Sequence, residues 1–500
     1  MNSQPPVSPF FKDDYSEVNP LLKGGIPLVF SHNKGGLRGV LKTLQKKCFK
    51  MTKQISQKIK DEFLIFLMLY LAKNASQKNL IRLTQLWERL TQKKDFIKGI
   101  RGIRNLMEEG HGCSKVPKRI VNELNYHSRK KFVGNFIINQ FFKGAEKRIR
   151  FGKKEGWLPP GFLAISPTMR CNLRCTGCWS GKFDKSEEAG YEIFERVIKE
   201  AKEMGIYFFN VTGGEPFIDN EIFDLFRKHN DAVFHVYTNG TLLNEQNVKI
   251  LEELGNVTPV ISLEGFQEKT DLRRGKGLFQ KALTAMDLLS EYGIPHGFAA
   301  MVTRYNVDEV LHEKFIQLMI EKGCLYGWYF HYMPVGEKPD IDLMPSPVQR
   351  EQVRKGVIDL RKKHPIVLID FHNDSPVIGG CMSAGKRYVH INSKGDVEPC
   401  VFVHFASDNV KDKSLKEALN SNFMKNLREK ISKNSNLLKP CLIIDNTKAI
   451  EKAIYETGSK STLAGSELIF TDFSKKLVKY QDEYSKIIDD IWDEEYATYH

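Results

Sequence analysis

Three cysteines lie close together in the stretch MRCNLRCTGCWSG, where Cys171, Cys175 and Cys178 are separated first by three residues and then by two. The stretch follows an apolar, strand-like segment at 162–169, so the thiols are predicted to lie on a loop at a strand end. Cysteine thiolates are the usual ligands of iron–sulfur clusters. Three of them can bind three irons of a 4Fe-4S cubane and leave the fourth iron open. A zinc site is the alternative, but zinc usually takes four protein ligands.

Further polar segments end the strand-like segments that follow along the chain. Residues 212–216 read TGGEP, residues 238–240 read TNG and residues 262–265 read SLEG. Two adjacent glycines allow a backbone to approach a ligand closely, and the carboxylate of Glu215 can accept hydrogen bonds from an ammonium group. Parallel α/β folds place their sites at the ends of strands, so these segments are candidates for the same site as the cysteine loop.

Together with DLRRG at 271–275, the cysteine loop and these segments resemble the motifs of the radical SAM superfamily, over about residues 160–335. The resemblance implies that Cys171, Cys175 and Cys178 bind a 4Fe-4S cluster whose open iron chelates S-adenosylmethionine (SAM). An electron from the cluster then cleaves the sulfonium, and a deoxyadenosyl radical abstracts a hydrogen atom from a substrate. A reducing electron donor such as ferredoxin or flavodoxin is the implied partner.

The same resemblance implies which residues contact SAM. Glu215 would contact the methionine amino group, Ser262 the polar end of the cofactor, and Arg274 the cofactor carboxylate. An ordinary turn and a surface charge are the alternatives for Ser262 and Arg274. No catalytic residue is assigned. The predicted cofactor-binding residues are Gly213, Gly214, Glu215, Asn239, Ser262 and Arg274.

Two positions depart from the superfamily pattern. The residue before the third cysteine is often an aromatic that packs on the adenine, but it is Gly177 here, and Trp179 follows the cysteine instead. The adenine contact is therefore left unassigned. The histidine that usually precedes the aspartate of the 271–275 segment is replaced by Thr270.

Strand-like and helix-length segments alternate in series along the middle of the chain. This alternation predicts an α/β fold with a parallel sheet, and a doubly wound sheet or a partial barrel would both satisfy it. The resemblance implies the partial (βα)6 barrel of TIM type. VLIDFH at 367–372 is a further possible strand. The six strand-like segments are 162–169, 207–214, 233–240, 258–265, 294–302 and 325–333.

A second group of cysteines follows the predicted barrel. Cys381, Gly395 and Cys400 form a C-x13-G-x4-C pattern, which resembles the start of the SPASM or twitch extensions of radical SAM enzymes and implies one auxiliary 4Fe-4S cluster. Cys441 is the third predicted ligand, and YVHINSKGDVEPC is predicted to form a hairpin that turns at 393–395. Substrate, water or a side chain would fill the fourth position, with His404 and Cys324 as candidates. Buried free cysteines are the alternative.

Composition and charge limit the classes of protein that fit the chain. It has 500 residues, 41% of them hydrophobic, and nine cysteines, too few for a disulfide scaffold, so metal ligation in a reducing compartment is favoured. The net charge of +14 favours anionic partners. We expect no nucleic acid, because no basic patch interleaved with aromatics is readable. The apolar run at 63–72 is too short to span a bilayer, and the first twenty residues do not resemble a signal peptide.

The N-terminal part has one amphipathic pattern that could contact a membrane. Between Leu37 and Ile55 apolar residues recur on one helix face, and lysines occupy the other. Such a helix can lie on an anionic membrane, which would place a cytoplasmic protein at the inner face of the membrane. The alternative is a helix packed on its own domain. The predicted organisation is a lead-in at 1–35, a basic α-helical domain at 36–155, the core barrel at 156–375, the auxiliary-cluster segment at 376–445 and a helical tail at 446–500.

Three functions remain open at this point. The first is a radical SAM enzyme that acts on a lipid or isoprenoid at a membrane surface, suggested by the basic helical N-terminal domain and the apolar run at 63–72. The second is radical modification of a peptide or protein, as many SPASM and twitch relatives perform. The third is a nucleic-acid-binding protein in which the cluster is structural. The substrate, and whether SAM is consumed or regenerated, are left open.

Overall fold

The computed structural model describes residues 57–74, 76–90, 94–184 and 188–496. The predicted lead-in at 1–35 and the basic helix face between Leu37 and Ile55 lie outside these residues. The N-terminal part is helical, as predicted, and it includes a π-helical stretch at Phe132–Gly144. The helices before the first strand are α1 Gln57–Asn74, α2 Gln77–Leu90, α3 Lys94–Glu108, α4 Val116–Glu123, α5 Tyr126–Lys131 and α6 Ala145–Glu155.

Seven parallel strands form the centre of the molecule and are hydrogen-bonded in chain order. A short strand near the C-terminal cysteines joins the free edge of β1 in parallel, and its hairpin partner continues the sheet. The strands are β1 Leu163–Ile165, β2 Phe208–Val211, β3 Val233–Thr238, β4 Val257–Leu263, β5 Gly297–Val302, β6 Tyr326–His331, β7 Val367–Asp370, β8 His390–Ile391 and β9 Val397–Glu398.

Helices connect the parallel strands, as the alternation of segments predicts. Apolar residues on the outer face of the sheet, such as Phe209, Ile261 and Phe298, are fully buried under these helices. The helices of this part are α7 Tyr191–Met204, α8 Glu221–Lys228, α9 Glu245–Leu254, α10 Gln267–Arg274, α11 Leu278–Glu291, α12 Val307–Val310, α13 Glu313–Glu321, α14 Pro347–Lys363 and α15 Ser375–Ile378.

The predicted α/β fold is confirmed, with two additions at its edges. The VLIDFH segment forms a seventh parallel strand, β7, which pairs with β6. At the other edge, the predicted hairpin forms from β8 and β9, with Gly395 at a φ of 90° in the turn. This left-handed conformation favours glycine at that position. Because β7 and β9 are the outer strands of the sheet, the barrel stays open.

The N-terminal helices close the amino end of the barrel. In the π-helical stretch, Gln140 donates to the Gly161 carbonyl just before β1 and accepts from the backbone N–H of Tyr207 just before β2. From α4, Arg119 donates to the carbonyls of Cys324 and Pro365, which precede β6 and β7. These side chains satisfy backbone groups at the strand starts, so the helical region is part of the same folded unit.

The C-terminal tail is helical and packs on the barrel. Its last helix, α19, lies against α14, where the guanidinium of Arg350 stacks 3.9 Å from the ring centroid of Tyr484. None of the described helices combines the length and apolar character needed to cross a bilayer. The remaining elements are β10 Phe405–Ala406, α16 Leu415–Leu419, α17 Asn422–Ser432, α18 Thr447–Thr457, β11 Lys460–Ser461 and α19 Ser474–Glu495.

Candidate active site and auxiliary cysteine pocket

The cysteine loop leaves the carboxyl end of β1 and is tied to two neighbouring segments. Within the loop, Asn172 accepts a hydrogen bond from the Asn239 side chain at 2.9 Å and donates to the hydroxyl of Thr241 at 2.8 Å. The backbone N–H of Thr176 donates to the carbonyl of Arg273 at 3.0 Å. The predicted segments at 238–240 and 271–275 therefore meet the cysteine loop.

The three thiols are half-buried and belong to one electrostatic environment. Burial raises the pKa of Cys171, and the neighbouring charges of Glu215, Cys175 and Cys178 raise it further. Burial also raises the pKa of Cys175, whereas the guanidinium groups of the arginines at 273 and 274 lower it. A cation bound beside Cys171 and Cys175 would favour their thiolate forms, as iron does in a cluster.

Gly213 and Gly214 pack against the backbone that leads into the cysteine loop. An added Cβ would lie 2.4 Å from the carbonyl oxygen of Thr168 at Gly213 and 2.1 Å from that of Arg170 at Gly214. The N–H of Gly214 donates to Thr168 at 3.0 Å, and the N–H of Glu215 donates to Arg170 at 2.8 Å. We had expected the glycines to allow a ligand close to the backbone. The close approach that the structure shows is between two segments of the chain itself.

Glu215 is buried beneath the same loop and already has three protein donors. Its carboxylate accepts from the hydroxyl of Thr238 at 2.7 Å, the N–H of Asn239 at 2.8 Å and the N–H of Phe217 at 3.2 Å. Burial raises the pKa of Glu215, and these donors act in the opposite direction. Two carboxylate oxygens offer about four acceptor sites, so capacity remains for one further donor.

Arg274 lies beside a second arginine, and both bind one carboxylate. Glu264 Oε1 is 2.6 Å from Arg273 Nη1 and 2.5 Å from Arg274 Nη2. Two guanidinium groups against one carboxylate leave a net positive charge near the cysteine loop. The Nε atom of Arg273 is buried without a hydrogen-bond partner in the described part of the chain. Both features suit an anionic group such as a carboxylate.

The two departures from the superfamily pattern have structural explanations. Thr270 is fully buried, accepts from the N–H of Glu264 at 3.1 Å and donates to the carbonyl of Gly265 at 3.2 Å, so it braces the turn after β4. An added Cβ at Gly177 would lie 2.7 Å from the ring of Tyr332, which therefore supplies an aromatic beside the loop. Trp179 stacks on His404, with ring centroids 5.9 Å apart.

From β2 to β6, the inward side chains of the sheet are uncharged, and several of them are aromatic. At the other edge of the sheet, the buried carboxylate of Glu398 lies on the same face and is paired with His390 at 2.6 Å. Trp328 of β6 donates to His235 Nε2 of β3 at 3.0 Å, and Tyr237 contacts Phe330 with ring centroids 5.8 Å apart, so these side chains meet across the interior. Burial lowers the pKa of His235 to about 3, which keeps the imidazole neutral. By strand alternation, the inward set from β2 to β6 is Phe208, Asn210, Val233, His235, Tyr237, Thr258, Val260, Ser262, Gly297, Ala299, Met301, Tyr326, Trp328 and Phe330.

Ser262 belongs to that inward set and pairs with Ala299 of β5 in the sheet register. Its hydroxyl is half-exposed, and no hydrogen bond to another described residue is found for it. It is therefore available to a ligand at the carboxyl end of the barrel. Among the predicted cofactor residues, Glu215 and Arg274 already have protein partners, whereas Ser262 has a free hydroxyl.

The second cysteine group converges on one pocket. Cys381, Cys400 and Cys441 all line it, although Cys441 lies far along the chain from the other two. The remaining wall is mostly apolar and includes Phe371, His372, Ile378, Met382, Tyr388, Phe402, Val403, Pro440, Leu442 and Ile443.

The sulfurs of this pocket are contacted by hydroxyl groups. The Tyr388 hydroxyl is 2.8 Å from Cys400 Sγ, and the Ser383 hydroxyl is 3.1 Å from Cys381 Sγ. Burial raises the pKa of Cys400 to about 12 and also raises the pKa values of Cys381 and Cys441. Without metal the pocket therefore favours neutral thiols. Three cysteines with hydroxyl donors and an apolar wall match the donor set of an iron–sulfur cluster.

Neither candidate for the fourth ligand lies in this pocket. Cys324 is fully buried before β6, with its sulfur 3.9 Å from that of Met286. His404 is buried against Trp179 and is 3.5 Å from Glu398. Sequence reasoning missed His372, which lines the pocket. The rule that sites lie at strand ends could have found it, because His372 follows β7 directly.

Known protein families match the two cysteine regions. The model of the radical SAM superfamily matches residues 165–315, and the model of the SPASM iron–sulfur cluster-binding domain matches residues 381–442. The chain therefore contains a radical SAM domain at residues 165–315. This radical SAM enzyme carries a SPASM domain, and its cofactors are SAM and 4Fe-4S clusters.

Individual relatives cover about half of the chain. An AdoMet-dependent heme synthase of Methanosarcina barkeri is 24% identical over 289 residues, which are 52% of this chain and 81% of the relative. A PqqA peptide cyclase of Gluconobacter oxydans is 27% identical over 278 residues, 52% of this chain and 77% of the relative. The crystal structure of Streptococcus suis SuiB bound to S-adenosylmethionine has a TM-score of 0.50 and 21% identity, over 60% of this chain and 76% of SuiB, which supports the fold.

Proposed function

We propose that this radical SAM enzyme removes a hydrogen atom from an uncharged position of a peptide substrate held in the barrel interior. Bound to Cys171, Cys175 and Cys178, the cluster would supply the electron that starts radical chemistry from SAM. The observation that carries the proposal is the uncharged, partly aromatic inner face of β2 to β6. We assign residues 156–375 to the core barrel and 376–445 to the auxiliary segment.

The polar groups at the barrel rim would orient SAM by its charged end. Glu215 would accept from the amino group with its remaining acceptor capacity, while its three protein donors keep the carboxylate in place. Arg274, paired with Glu264 beside a second arginine, would attract the carboxylate. The free hydroxyl of Ser262 would contact the same end of the cofactor. Gly213, Gly214 and Asn239 would act by holding the cysteine loop in position.

The interior restricts the part of the substrate that can reach the reaction centre. Along β2 to β6 a charged group would lose its hydration without an opposite charge to pair with, because the inward residues of these strands include no acid, lysine or arginine. The carboxylate of Glu398, on the same face at the β8–β9 edge, is already paired with His390. An aromatic or aliphatic side chain would instead gain contacts with Tyr237, Trp328 and Phe330.

A peptide is favoured over a lipid because of the relatives. One of them is a PqqA peptide cyclase that matches over 77% of its own length. The lipid or isoprenoid hypothesis depends on the basic N-terminal domain and the apolar run at 63–72. The helix predicted between Leu37 and Ile55 lies outside the described residues. The uncharged interior suits a hydrocarbon as well, so the two substrate classes must be separated by experiment. We also propose a small reducing protein such as ferredoxin or flavodoxin as the electron donor.

The cluster assignments are tested by anaerobic reconstitution and iron counting. Wild type should bind about eight irons per chain if Cys381, Cys400 and Cys441 hold a second cubane, and the Cys171/Cys175/Cys178 triple alanine variant should bind about four. Wild type with SAM and dithionite should form deoxyadenosine, and the variant should not. An unchanged iron content in the variant would contradict the assignment of this loop.

The substrate class is tested with peptide and lipid fractions prepared from cells of the organism that produces this protein. The reconstituted enzyme is given SAM, dithionite and either a low-molecular-weight peptide fraction or a lipid extract, and deoxyadenosine is measured over time. We expect the peptide fraction to increase its formation and protease treatment of that fraction to abolish the increase. Stimulation by the lipid extract alone would refute the peptide proposal and leave the cluster assignment intact.

A further inference from the structure

The pocket of the second cysteine group has an unpaired histidine in its wall. His372 is 2% exposed and follows β7, and it lines the same pocket as Cys381, Cys400 and Cys441. Its Nε2 atom is buried and has no hydrogen-bond partner among the described residues. A buried polar nitrogen without a partner is costly, so its presence on a residue that lines the three-cysteine pocket suggests that a ligand in the pocket completes it.

The other ring nitrogen indicates which tautomer His372 adopts. Its Nδ1 atom accepts a hydrogen bond from the backbone N–H of His331 at 3.3 Å. A neutral imidazole has one protonated and one unprotonated nitrogen, and the accepting Nδ1 must be the unprotonated one. The proton therefore lies on Nε2, which makes that atom a hydrogen-bond donor.

A direct bond from His372 to iron fits this arrangement poorly. Nε2 would have to lose its proton, and the proton on Nδ1 would then face the N–H of His331. Histidines that bind metals almost always donate their second N–H to a carbonyl, carboxylate or water. The structure places a donor, not an acceptor, opposite that nitrogen.

A separate metal site between His331, Asp370 and His372 is also disfavoured. Their ligand atoms lie within 4.8 Å of one another, and all three residues are buried. The two imidazole rings, however, stack in parallel, with centroids 4.6 Å apart and an angle of 8° between their planes. Nitrogen lone pairs lie in the ring planes, so those of two parallel rings do not converge on one ion. Asp370 already accepts from the side chain of Asn373 at 2.7 Å.

We propose that His372 donates a hydrogen bond from Nε2–H to a sulfur of the auxiliary cluster and thereby raises its reduction potential. This inference rests on the proposed cluster at Cys381, Cys400 and Cys441. The Tyr388 hydroxyl already contacts Cys400 in this way, at 2.8 Å, and donates once that cysteine is a thiolate. Hydrogen bonds to sulfur favour the more negative, reduced cluster. His372 is thus a positioning and tuning residue for the electron-transfer function of the second cluster.

The test measures the potential of the auxiliary cluster alone. The full-length chain with Cys171, Cys175 and Cys178 changed to alanine retains a single cluster, which is titrated anaerobically with spectroscopic detection. In this background, His372→Ala should lower the equilibrium constant for reduction about tenfold, a shift of about 59 mV for a one-electron couple. His372→Gln, which retains an N–H donor, should recover part of the shift.

A matched control separates tuning from general loss of packing. His229 is another buried histidine whose Nε2 has no hydrogen-bond partner in the described part of the chain, and it lies at the end of α8. His229→Ala should leave the potential unchanged.

Pulsed electron paramagnetic resonance gives a second readout in the triple alanine parent, in which His372 is intact. The cluster signal should show weak 14N coupling, as expected for a hydrogen bond.

Three results would overturn the inference, and they differ from one another. An unchanged potential in His372→Ala with full iron content would mean that no tuning hydrogen bond exists. Loss of the cluster in that variant, together with strong 14N coupling in the parent, would make His372 a ligand. Unchanged iron after Cys381, Cys400 and Cys441 are changed to alanine would reject the auxiliary site itself, and with it this role of His372.

Discussion

Gly213→Ala should remove the SAM-binding cluster by displacing the segment that leads into it. The new Cβ would lie 2.4 Å from the carbonyl oxygen of Thr168, about 1 Å closer than the 3.4 Å at which ordinary contact begins. The obstacle is backbone, which cannot rotate away as a side chain can. The segment that ends at Cys171 must therefore move, while Glu215 stays held by its three donors.

The free energy of unfolding that Gly213→Ala is expected to remove has two parts. Gly213 has a φ of 115°, and an alanine with positive φ costs about 1–2 kcal/mol. Overpacking adds about 1–3 kcal/mol. Gly458→Ala is the matched control, because Gly458 also has positive φ, at 63°, but an added Cβ there meets nothing within 4 Å. Gly458→Ala should show the cost of positive φ without the cost of overpacking.

The assay combines iron content with unfolding in urea. Gly213→Ala should bind about four irons per chain in place of about eight and form little deoxyadenosine, while Gly458→Ala should match wild type in both. The free energy of unfolding should fall further for Gly213→Ala than for the control. Wild-type iron content and wild-type deoxyadenosine formation in Gly213→Ala would refute the idea that this glycine positions the cysteine loop.

Three other changes follow from the buried polar groups. Asp445→Asn should lower the free energy of unfolding by about 3–5 kcal/mol in chemical unfolding. The reason is that Arg350, which is fully buried and paired with Asp445 at 2.6 Å, would be left as an unpaired charge. An equal loss in a variant that replaces both residues by apolar ones would contradict this explanation. The pKa of His235 is lowered by burial to about 3, so its contribution to stability is complete above the unfolded pKa of 6.5 and is lost as the pH falls from 6.5 towards 3, by roughly 1.4 kcal/mol per pH unit. His235→Gln should flatten this slope between pH 7 and pH 5, and an unchanged slope would exclude His235 as its source. Thr270→Val should weaken SAM binding in calorimetry, because it removes the hydrogen bond that the threonine hydroxyl accepts from the N–H of Glu264. This hydrogen bond braces the Glu264 carboxylate between two arginines. Unchanged affinity would show that the turn keeps its shape without the hydrogen bond.

Much of this molecule could be predicted from local patterns in the sequence. The alternation of strand and helix segments predicted six parallel strands, and the hairpin near Cys400 was predicted from its turn. Cys171, Cys175 and Cys178 were predicted as cluster ligands from their spacing and their position after a strand. These features depend on residues close together in the chain, because backbone periodicity and the reach of neighbouring side chains determine them.

The chain order could not reveal which distant groups become neighbours. Cys441 enters the pocket of Cys381 and Cys400 only because the chain returns there after α17. The arginines at 273 and 274 converge on Glu264, and His372, whose Nε2 is unpaired, lines the pocket of the second cysteine group.

The sequence by itself therefore indicated the superfamily and the parallel sheet, and it predicted the cysteine ligands. Only the tertiary structure decided which polar groups are paired, which remain free, and which backbone the glycines approach. The physical reason is that hydrogen bonding and burial depend on contacts between segments far apart in the chain. Strand register and helix packing set those contacts, and no local pattern of residues encodes them.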